Sequence, residues 1–600
     1  MSAGAARPAY RPDIDGLRAV AVVSVVLAHA GAPGVAGGFL GVDVFFVISG
    51  FLITRILADE IDRGGIRFAH FYERRVRRIL PALVLVLACC TPFAVWLMLP
   101  EFLENFGQEM FATVAFSNNL KLALTADYWD LQSTQKPLLH TWSLGVEEQF
   151  YLVFPAVLAL AARYGSRGQV VAVVAIGLVS FALAEITQRL LGPINFFLPT
   201  SRAWELMAGA VAAYIPRRPR RFDQPVALAC LVTVILPMGV FGTAPTPTVW
   251  SLPSVLGTAG LLAFGRPELL AGRVLSIRPI VFVGLISYSA YLWHQPLFAF
   301  ARIASLQPPS PELMTGLTLL TFLLAAISWK FVEQPFRDPA LPFRRLVVPV
   351  LVPASVLAAL GLMLHFNAGF PRWTYPNMQS EADVRADYVE RVFELGARGF
   401  PDNGKANVLV VGNSFARDAA NVLIESGAVR DKNLRYVGEL GYCQLALSAR
   451  TREMLPAADI LVVAASVAAA DCIDDVRARL EGLSNVPVVV FGDKYFGESI
   501  NPYARVAMEE RARTYADAGA AVADANDRVR AALPPDGFVD LLRALGPDGR
   551  RVRYFDDEGN PITMDRLHFT RYGAQFVGRR LVDSGSPGLA RIANVTPRPR

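Results

Sequence analysis

The sequence predicts a multi-span α-helical membrane region followed by an α/β domain with a parallel sheet, on three observations. Of its 600 residues, 53% are hydrophobic and only 18% charged, too apolar for a chain that folds wholly in water. The apolar residues gather before residue 367 into about eleven runs near the length a bilayer-crossing helix needs. Beyond that point short β-rich runs alternate with amphipathic helical segments, the pattern of a buried parallel sheet covered by helices.

Charge divides the chain at the same place. Residues 1–366 hold 28 Lys/Arg and 21 Asp/Glu, net +7, whereas residues 367–600 hold 30 and 31, net −1. The positive excess thus sits with the apolar runs. There it orients spans in a lipid bilayer rather than forming a nucleic-acid groove, and no nucleic-acid partner is expected.

In order, the candidate spans are residues 16–33, 39–57, 79–99, 142–162, 169–187, 200–215, 225–241, 249–265, 279–300, 314–332 and 346–366, the sixth to eighth short or interrupted. Prolines 81, 155 and 296 are tolerable inside a helical bundle. A cleaved signal peptide is the alternative for the first run. Asp13 and Asp15 before it, His29 within it and a second apolar helix directly after it favour an uncleaved span. One alternate set of loops carries nearly all the arginines: Arg7 and Arg11, the 58–78 segment, Arg163 and Arg167, the 217–221 run, Arg266 to Arg278, and Arg337 to Arg345. The other set has little beyond Lys121, Lys136, Arg189 and Arg302. The arginine-rich loops are expected in the cytoplasm. An odd number of spans then places everything after residue 366 outside, and Cys443 and Cys472 become a possible disulfide there.

The first hairpin carries charges that a membrane fold does not need: Asp13, Asp15, Arg18, His29 and Asp43. Ionisable groups in hydrocarbon are expensive and mark function. Arg18 and His29 are 11 residues apart, about 16 Å along one helix at 1.5 Å per residue. In the expected orientation Arg18 lies near the cytoplasmic face and His29 deeper. That suits a long donor with phosphates held by the arginine and a reactive end near a histidine base. Arg74, Arg75 and Arg78 in FYERRVRRILP are a candidate phosphate cradle, with Arg77 a membrane anchor. In LLHTWSLGVEEQFYLVFP, His140 lies at the outer end of the fourth span, and Glu147 or Glu148 is positioned to orient His29 and raise its basicity. Asp13, Asp15, Asp43, His140, Arg202, Glu205 and His294 are candidate substrate contacts, although Arg202 and Glu205, spaced i,i+3, also fit a simple mutual pair. No histidines have the local spacing of a metal box, so no metal is expected.

After residue 366 comes a linker, residues 367–400, and then KANVLVVGNSFARDAANVLIESG, read as strand, tight turn and helix. Ser414 sits on the turn, where backbone N–H groups at a helix start can stabilise a developing oxyanion. His568, the only histidine after residue 366, stands three residues beyond Asp565 in MDRLHFTRYG. His568 as base and Asp565 as its orienting carboxylate would complete a nucleophilic site; an ordinary turn serine and a surface histidine are the alternative.

VVGNSFARD resembles the nucleophile block of SGNH hydrolases and acetyltransferases, and DRLHFT resembles their closing D-x-x-H block. The resemblance implies Ser414, Asp565 and His568 as the catalytic set, with Asn413 where Asp is usual. It offers Ser414 and Gly441 for the oxyanion hole, with Ser466 near the expected place of the family's asparagine. Seven stretches, YRPDIDGLRAVAVVSVVLAHAG, GGFLGVDVFFVISGFLIT, FYERRVRRILP, LLHTWSLGVEEQFYLVFP, SRAWELMAG, ISYSAYLWHQP and SWKFVEQPFR, span residues 10–337 in order. Together they resemble acyltransferase family 3, membrane O-acyltransferases that modify bacterial polysaccharides. That resemblance implies an acyl-CoA donor, commonly acetyl-CoA, and an R-x10-H pair at Arg18 and His29. It also implies a known subtype that carries an SGNH-like domain outside the membrane.

The expectation is a multi-span α-helical membrane domain of about 11 helices fused to an α/β/α SGNH-like domain with a parallel sheet. Residues 10–337 would form the acyltransferase domain, 338–366 a further transmembrane helix, 367–400 a linker and 401–600 the periplasmic domain. The expected setting is the bacterial inner membrane, and the expected acceptor a cell-envelope polysaccharide such as O-antigen or exopolysaccharide. The rival readings make the SGNH-like domain a glycan esterase, a deacetylase or an acceptor-binding module. In another, the whole chain is a transporter with a sugar-binding outer domain.

Overall fold

The computed structural model describes residues 10–125, 133–216, 219–242, 245–338, 341–376, 387–396, 398–438, 448–464, 486–497 and 499–598. Cα packing divides the chain into two compact units: Met1–Trp96, Phe102–Arg302 and Pro309–Asn367 in one, and Leu97–Glu101, Ile303–Pro308 and Ala368–Arg600 in the other.

The first unit is helical. Its elements are α1 (Pro12–His29), α2 (Gly41–Asp62), α3 (Phe68–Leu97), α4 (Pro100–Val114), α5 (Asn118–Thr125), α6 (Thr141–Ala161), α7 (Gly165–Leu191) and α8 (Pro199–Tyr214). There follow α9 (Asp223–Val240), α10 (Leu252–Phe264), α11 (Leu270–Leu275), α12 (Arg278–Leu285), α13 (Ser287–Ala304), α14 (Pro311–Ser328), α15 (Gln334–Arg337) and α16 (Phe343–Phe366). A π-helical turn, Trp329–Glu333, joins α14 to α15. Helix α2 is central, packed against α1, α6, α8 and α10, with Val44, Val47, Ile48 and Phe51 buried. At its crossing with α8 the backbones nearly touch. A Cβ on Gly50 would lie 1.9 Å from the Leu206 carbonyl oxygen, and one on Gly209 would lie 1.9 Å from that of Val47. Small residues at such a crossing let helices pack closely where no hydrophobic effect drives them together.

Leu178 and Leu190 on α7, Leu319 and Leu323 on α14, and Val352 and Val356 on α16 point outward. That is the inverse of a water-soluble surface and the arrangement lipid requires. Among the described residues six helical stretches are long and apolar enough to cross a membrane: Gly38–Asp62, Phe68–Leu97, Thr141–Phe197, Asp223–Val240, Pro311–Arg337 and Val348–Phe366. This is a multi-pass membrane protein. Some expected boundaries move. The run 279–300 is broken into α12 and α13, and α3 extends the expected 79–99 span back through the arginine cluster to Phe68.

The second unit is built on a five-stranded parallel sheet. In chain order its strands are β1 (Asn407–Gly412), β2 (Asn433–Gly438), β3 (Ile460–Ala464), β4 (Val488–Phe491), β5 (Tyr515–Asp517), β6 (Phe538–Val539) and β7 (Arg551–Arg553). The sheet order is β2-β1-β3-β4-β6, while β5 and β7 form a separate antiparallel pair. Every residue of β1 and of β3 is buried, as expected for strands covered on both faces. Strand order reverses between β1 and β3, and the crevice outside the carboxyl ends of the strands at such a reversal is where open α/β sheets bind ligands.

Candidate active sites

In the α/β unit, β1 ends at Gly412, whose φ of 145° and tight approach to the Ala464 carbonyl oxygen turn the chain sharply into a helix, Ser414–Glu425. Asn413 caps that helix, its side-chain oxygen accepting from Phe415 N–H at 3.0 Å. It fills the capping role that an aspartate would fill. Ser414 thereby sits on the helix N-terminus just past the end of β1. Its Oγ is 2.8 Å from His568 Nε2, and His568 Nδ1 is 2.5 Å from Asp565 Oδ2.

The other Asp565 oxygen accepts from the backbone N–H of Leu567 at 2.9 Å and of His568 at 2.8 Å. Arg566 between them takes a φ of +80°, an uncommon state for a residue with a Cβ, and it closes the loop tightly enough for aspartate and histidine to meet. Burial works to raise the Asp565 carboxyl, yet the adjoining imidazole and the two N–H donors hold it well below the usual carboxylate range. A carboxylate ionised in this way keeps Nδ1 of His568 protonated and leaves Nε2 to receive a proton from Ser414.

A second set of contacts, which the sequence did not suggest, secures this arrangement. Asp418, one turn along the serine's helix, accepts from Phe569 N–H at 3.0 Å and pairs with Lys494 at 2.8 Å. The Lys494 ammonium also lies 4.4 Å from the ring centres of both Phe415 and Phe569, the residues that follow Ser414 and His568. Nucleophile helix and histidine loop are thus tied through one buried ion pair. Gly441, Ser466, Cys443 and Cys472 lie outside the described residues.

In the helical unit, Arg18, Ser49, Arg75, Arg78, Glu147 and Tyr291 share the wall of one pocket with Ser143, Tyr151 and Tyr288. Glu147 accepts from Ser49 Oγ at 2.6 Å, and Arg75 lies 4.4 Å over the Tyr151 ring. Three guanidinium groups around one cavity form a setting for an anionic group. Arg74 turns away to pair with Glu60 at 2.9 Å, so of the three arginines expected together only Arg75 and Arg78 line the pocket, where Arg18 joins them. Arg77 is held by Glu73 and by the Leu341 carbonyl, a structural tie.

His29 does not meet Glu147 or Glu148. Its Nδ1 is 2.9 Å from His294 Nε2, and His294 Nδ1 is 2.6 Å from the Tyr291 carbonyl oxygen. Glu147 is directed to Ser49 on the neighbouring α2, which explains the difference, and Glu148 is absent from the pocket wall. His140 packs beside the pair, its ring centre 5.3 Å from those of His294 and Tyr291. Tyr291 borders both the histidine cluster and the pocket.

The remaining expected contacts are engaged with other side chains of the helical unit. Arg202 bridges Asp43 at 2.9 Å and Glu205 at 3.0 Å, all three side chains being at most 1% exposed, so this triad ties α2 to α8 away from the pocket wall. Asp13 pairs with Arg11, and Asp15 with Arg18 and the Tyr10 hydroxyl. No group of three or more His, Cys, Asp or Glu placed to hold a metal is found among the described residues.

The fold and its buried polar groups define a multi-pass membrane protein with ionisable residues around an internal pocket. Residues 11–330, more than half of the chain, match the model of the acyltransferase domain, and the chain belongs to this acyltransferase family. It is 32% identical over 384 residues to the O-acetyltransferase OatA of Staphylococcus aureus, a match covering 58% of this chain and 63% of that protein. It is also 28% identical over 349 residues to the peptidoglycan O-acetyltransferase OatA of Listeria monocytogenes, covering 55% of this chain and 56% of the relative. The chain therefore spans less than two thirds of the length of these relatives.

Proposed function

We propose that this protein is a membrane O-acyltransferase. It moves an acyl group, acetyl in the simplest case, from cytoplasmic acyl-CoA to a hydroxyl of a cell-envelope polysaccharide outside the membrane. The acyltransferase-domain match carries this reading. In it the first unit has eleven spans in a bacterial inner membrane with the N-terminus inside, and the second is an SGNH-like periplasmic domain. Arg18, Arg75 and Arg78 hold donor phosphate. His29 takes the proton of the attacking hydroxyl while the donor's thiolate leaves and is protonated. The acceptor class includes O-antigen, exopolysaccharide and, by the name of the Listeria relative, peptidoglycan.

The contact between Ser414 and His568 supports a relay in the second unit. In this alternative to direct transfer, Ser414 Oγ attacks the acyl group carried as an ester on a hydroxyl acylated in the membrane unit. His568 Nε2 takes the serine proton, the bond from the acyl carbon to the carrier oxygen breaks, and the imidazolium is stabilised by Asp565. His568 returns that proton to the leaving group. The glycan hydroxyl then attacks the acyl-serine, losing its proton to Nε2, and Ser414 is regenerated. If water replaces the glycan hydroxyl, the same residues run an esterase, the second reading this site supports.

The test is mass analysis of envelope polysaccharide from cells with and without the gene, alongside His29→Ala and Ser414→Ala. Both variants are expected to lose the acyl ester, transfer falling by on the order of a thousandfold or more. Unchanged ester content in His29→Ala would refute the membrane mechanism. Full transfer by Ser414→Ala would refute the relay, and a rise in ester content on loss of Ser414 would favour the esterase.

A further inference from the structure

We infer that His294 is a positioning residue that sets the tautomer of His29, leaving His29 Nε2 as the basic nitrogen; this rests on the reading of His29 as the base that accepts the hydroxyl proton. One line of hydrogen bonds runs from the Tyr291 carbonyl through His294 to His29. A backbone carbonyl oxygen only accepts, so His294 Nδ1, 2.6 Å from the Tyr291 oxygen, carries the proton. Neutral His294 therefore has a bare Nε2, and the 2.9 Å contact to His29 requires His29 Nδ1 to donate. In neutral His29 the remaining nitrogen, Nε2, then holds a free lone pair. Among the described residues nothing hydrogen-bonds to it.

The surroundings keep the orienting ring in place. His294 is 0% exposed, whereas His29 is half-buried, so the enclosed ring directs the more accessible one. Rings of Tyr291, His140 and Phe298 border His294 at centroid distances of 5.3, 5.3 and 6.1 Å. Arg302 donates to the His29 carbonyl oxygen at 2.6 Å and fixes the end of α1. A main-chain carbonyl cannot change its protonation, which makes it a fixed origin for the tautomer of both rings. The logic is that of an outer partner orienting a working histidine, with a second imidazole in the place a carboxylate often takes.

The experiment uses the full chain in membranes, with labelled acetyl-CoA as donor and envelope polysaccharide from the same cells as acceptor. His294→Phe keeps a flat ring and removes the acceptor. It is expected to lower kcat on the order of 10- to 100-fold, with the acetyl-CoA KM unchanged. His294→Gln, which restores an acceptor oxygen, is expected to recover most of the rate. Full activity in His294→Phe, or equal loss in both variants, overturns the inference. Histidine-selective nitrogen NMR of the unaltered protein reads the tautomer directly: Nδ1–H on His29 supports the inference and Nε2–H overturns it, whether or not the variants fold. Retained activity in His29→Ala would instead refute the base reading and leave the tautomer measurement standing by itself.

Discussion

The Asp565 carboxylate does two jobs with its two oxygens, one directing the His568 ring and the other accepting two backbone N–H groups. Asp565→Asn keeps the size and presents the wrong hydrogen-bonding pattern to Nδ1. Acyl transfer is expected to fall on the order of 10³- to 10⁴-fold if the Ser414 relay operates, and an unaltered rate would count against it. The same carboxyl bears on acid stability. Its folded value lies below the unfolded value of about 3.9, so the unfolded chain takes up the proton first. The stabilisation is present above about pH 4 and is lost as pH falls through the folded value. Unfolding measured between about pH 5 and pH 2 should lose stability more steeply in the unaltered protein than in Asp565→Asn; equal slopes would argue against a depressed Asp565. Lys494 is the complementary case. Lys494→Met leaves the Asp418 carboxylate buried without its cation, a change expected to cost about 3–5 kcal/mol, and adding Asp418→Asn should restore most of the loss in the same unfolding measurement.

Among the elements, the α2–α8 crossing depends on residues with no side chain. Gly209→Val would drive a branched side chain into the Val47 carbonyl and push the helices apart. Thermal unfolding of the solubilised protein should report a loss of about 1–3 kcal/mol, and no loss would mean that the helices part freely there. Neither glycine stood out in the sequence, because close approach is a property of two segments about 160 residues apart and hydropathy reads one at a time. Local patterns were legible: the buried run before Ser414 and the amphipathic run after it are the strand and helix of the structure. The break at Ile286 was not, since no proline stands there and Ser287 and Ser289 are too few polar residues to interrupt an apolar run. Helix α1 shows the converse. Asp13, Asp15 and Arg18 keep it out of the set of long apolar stretches, so the charges that drew attention to it also lower its membrane signal.

Across the whole molecule, the sequence disclosed which residue types were out of place, and only folding disclosed their partners. His29 meets His294 across 265 residues, and Ser414 meets His568 across 154. The second pair was foreseeable because one histidine follows residue 366; the first was not, since four other histidines precede that point and Glu147 and Glu148 were the expected partners of His29. Orientation remains the inference that needs the whole chain, because it rests on arginines distributed over alternate loops. Each arginine contributes modestly, so the set must act together, and its prediction is correspondingly global. Cysteines placed singly at Arg63 and Asp402, both exposed, sample the turn after α2 and the start of the α/β unit. In intact spheroplasts a membrane-impermeant maleimide should label Asp402→Cys and spare Arg63→Cys, and permeabilisation should expose both. Labelling of Arg63→Cys alone would invert the topology. It would place the Ser414 site in the cytoplasm and require a glycan acceptor, or an ester to hydrolyse, on that side of the membrane.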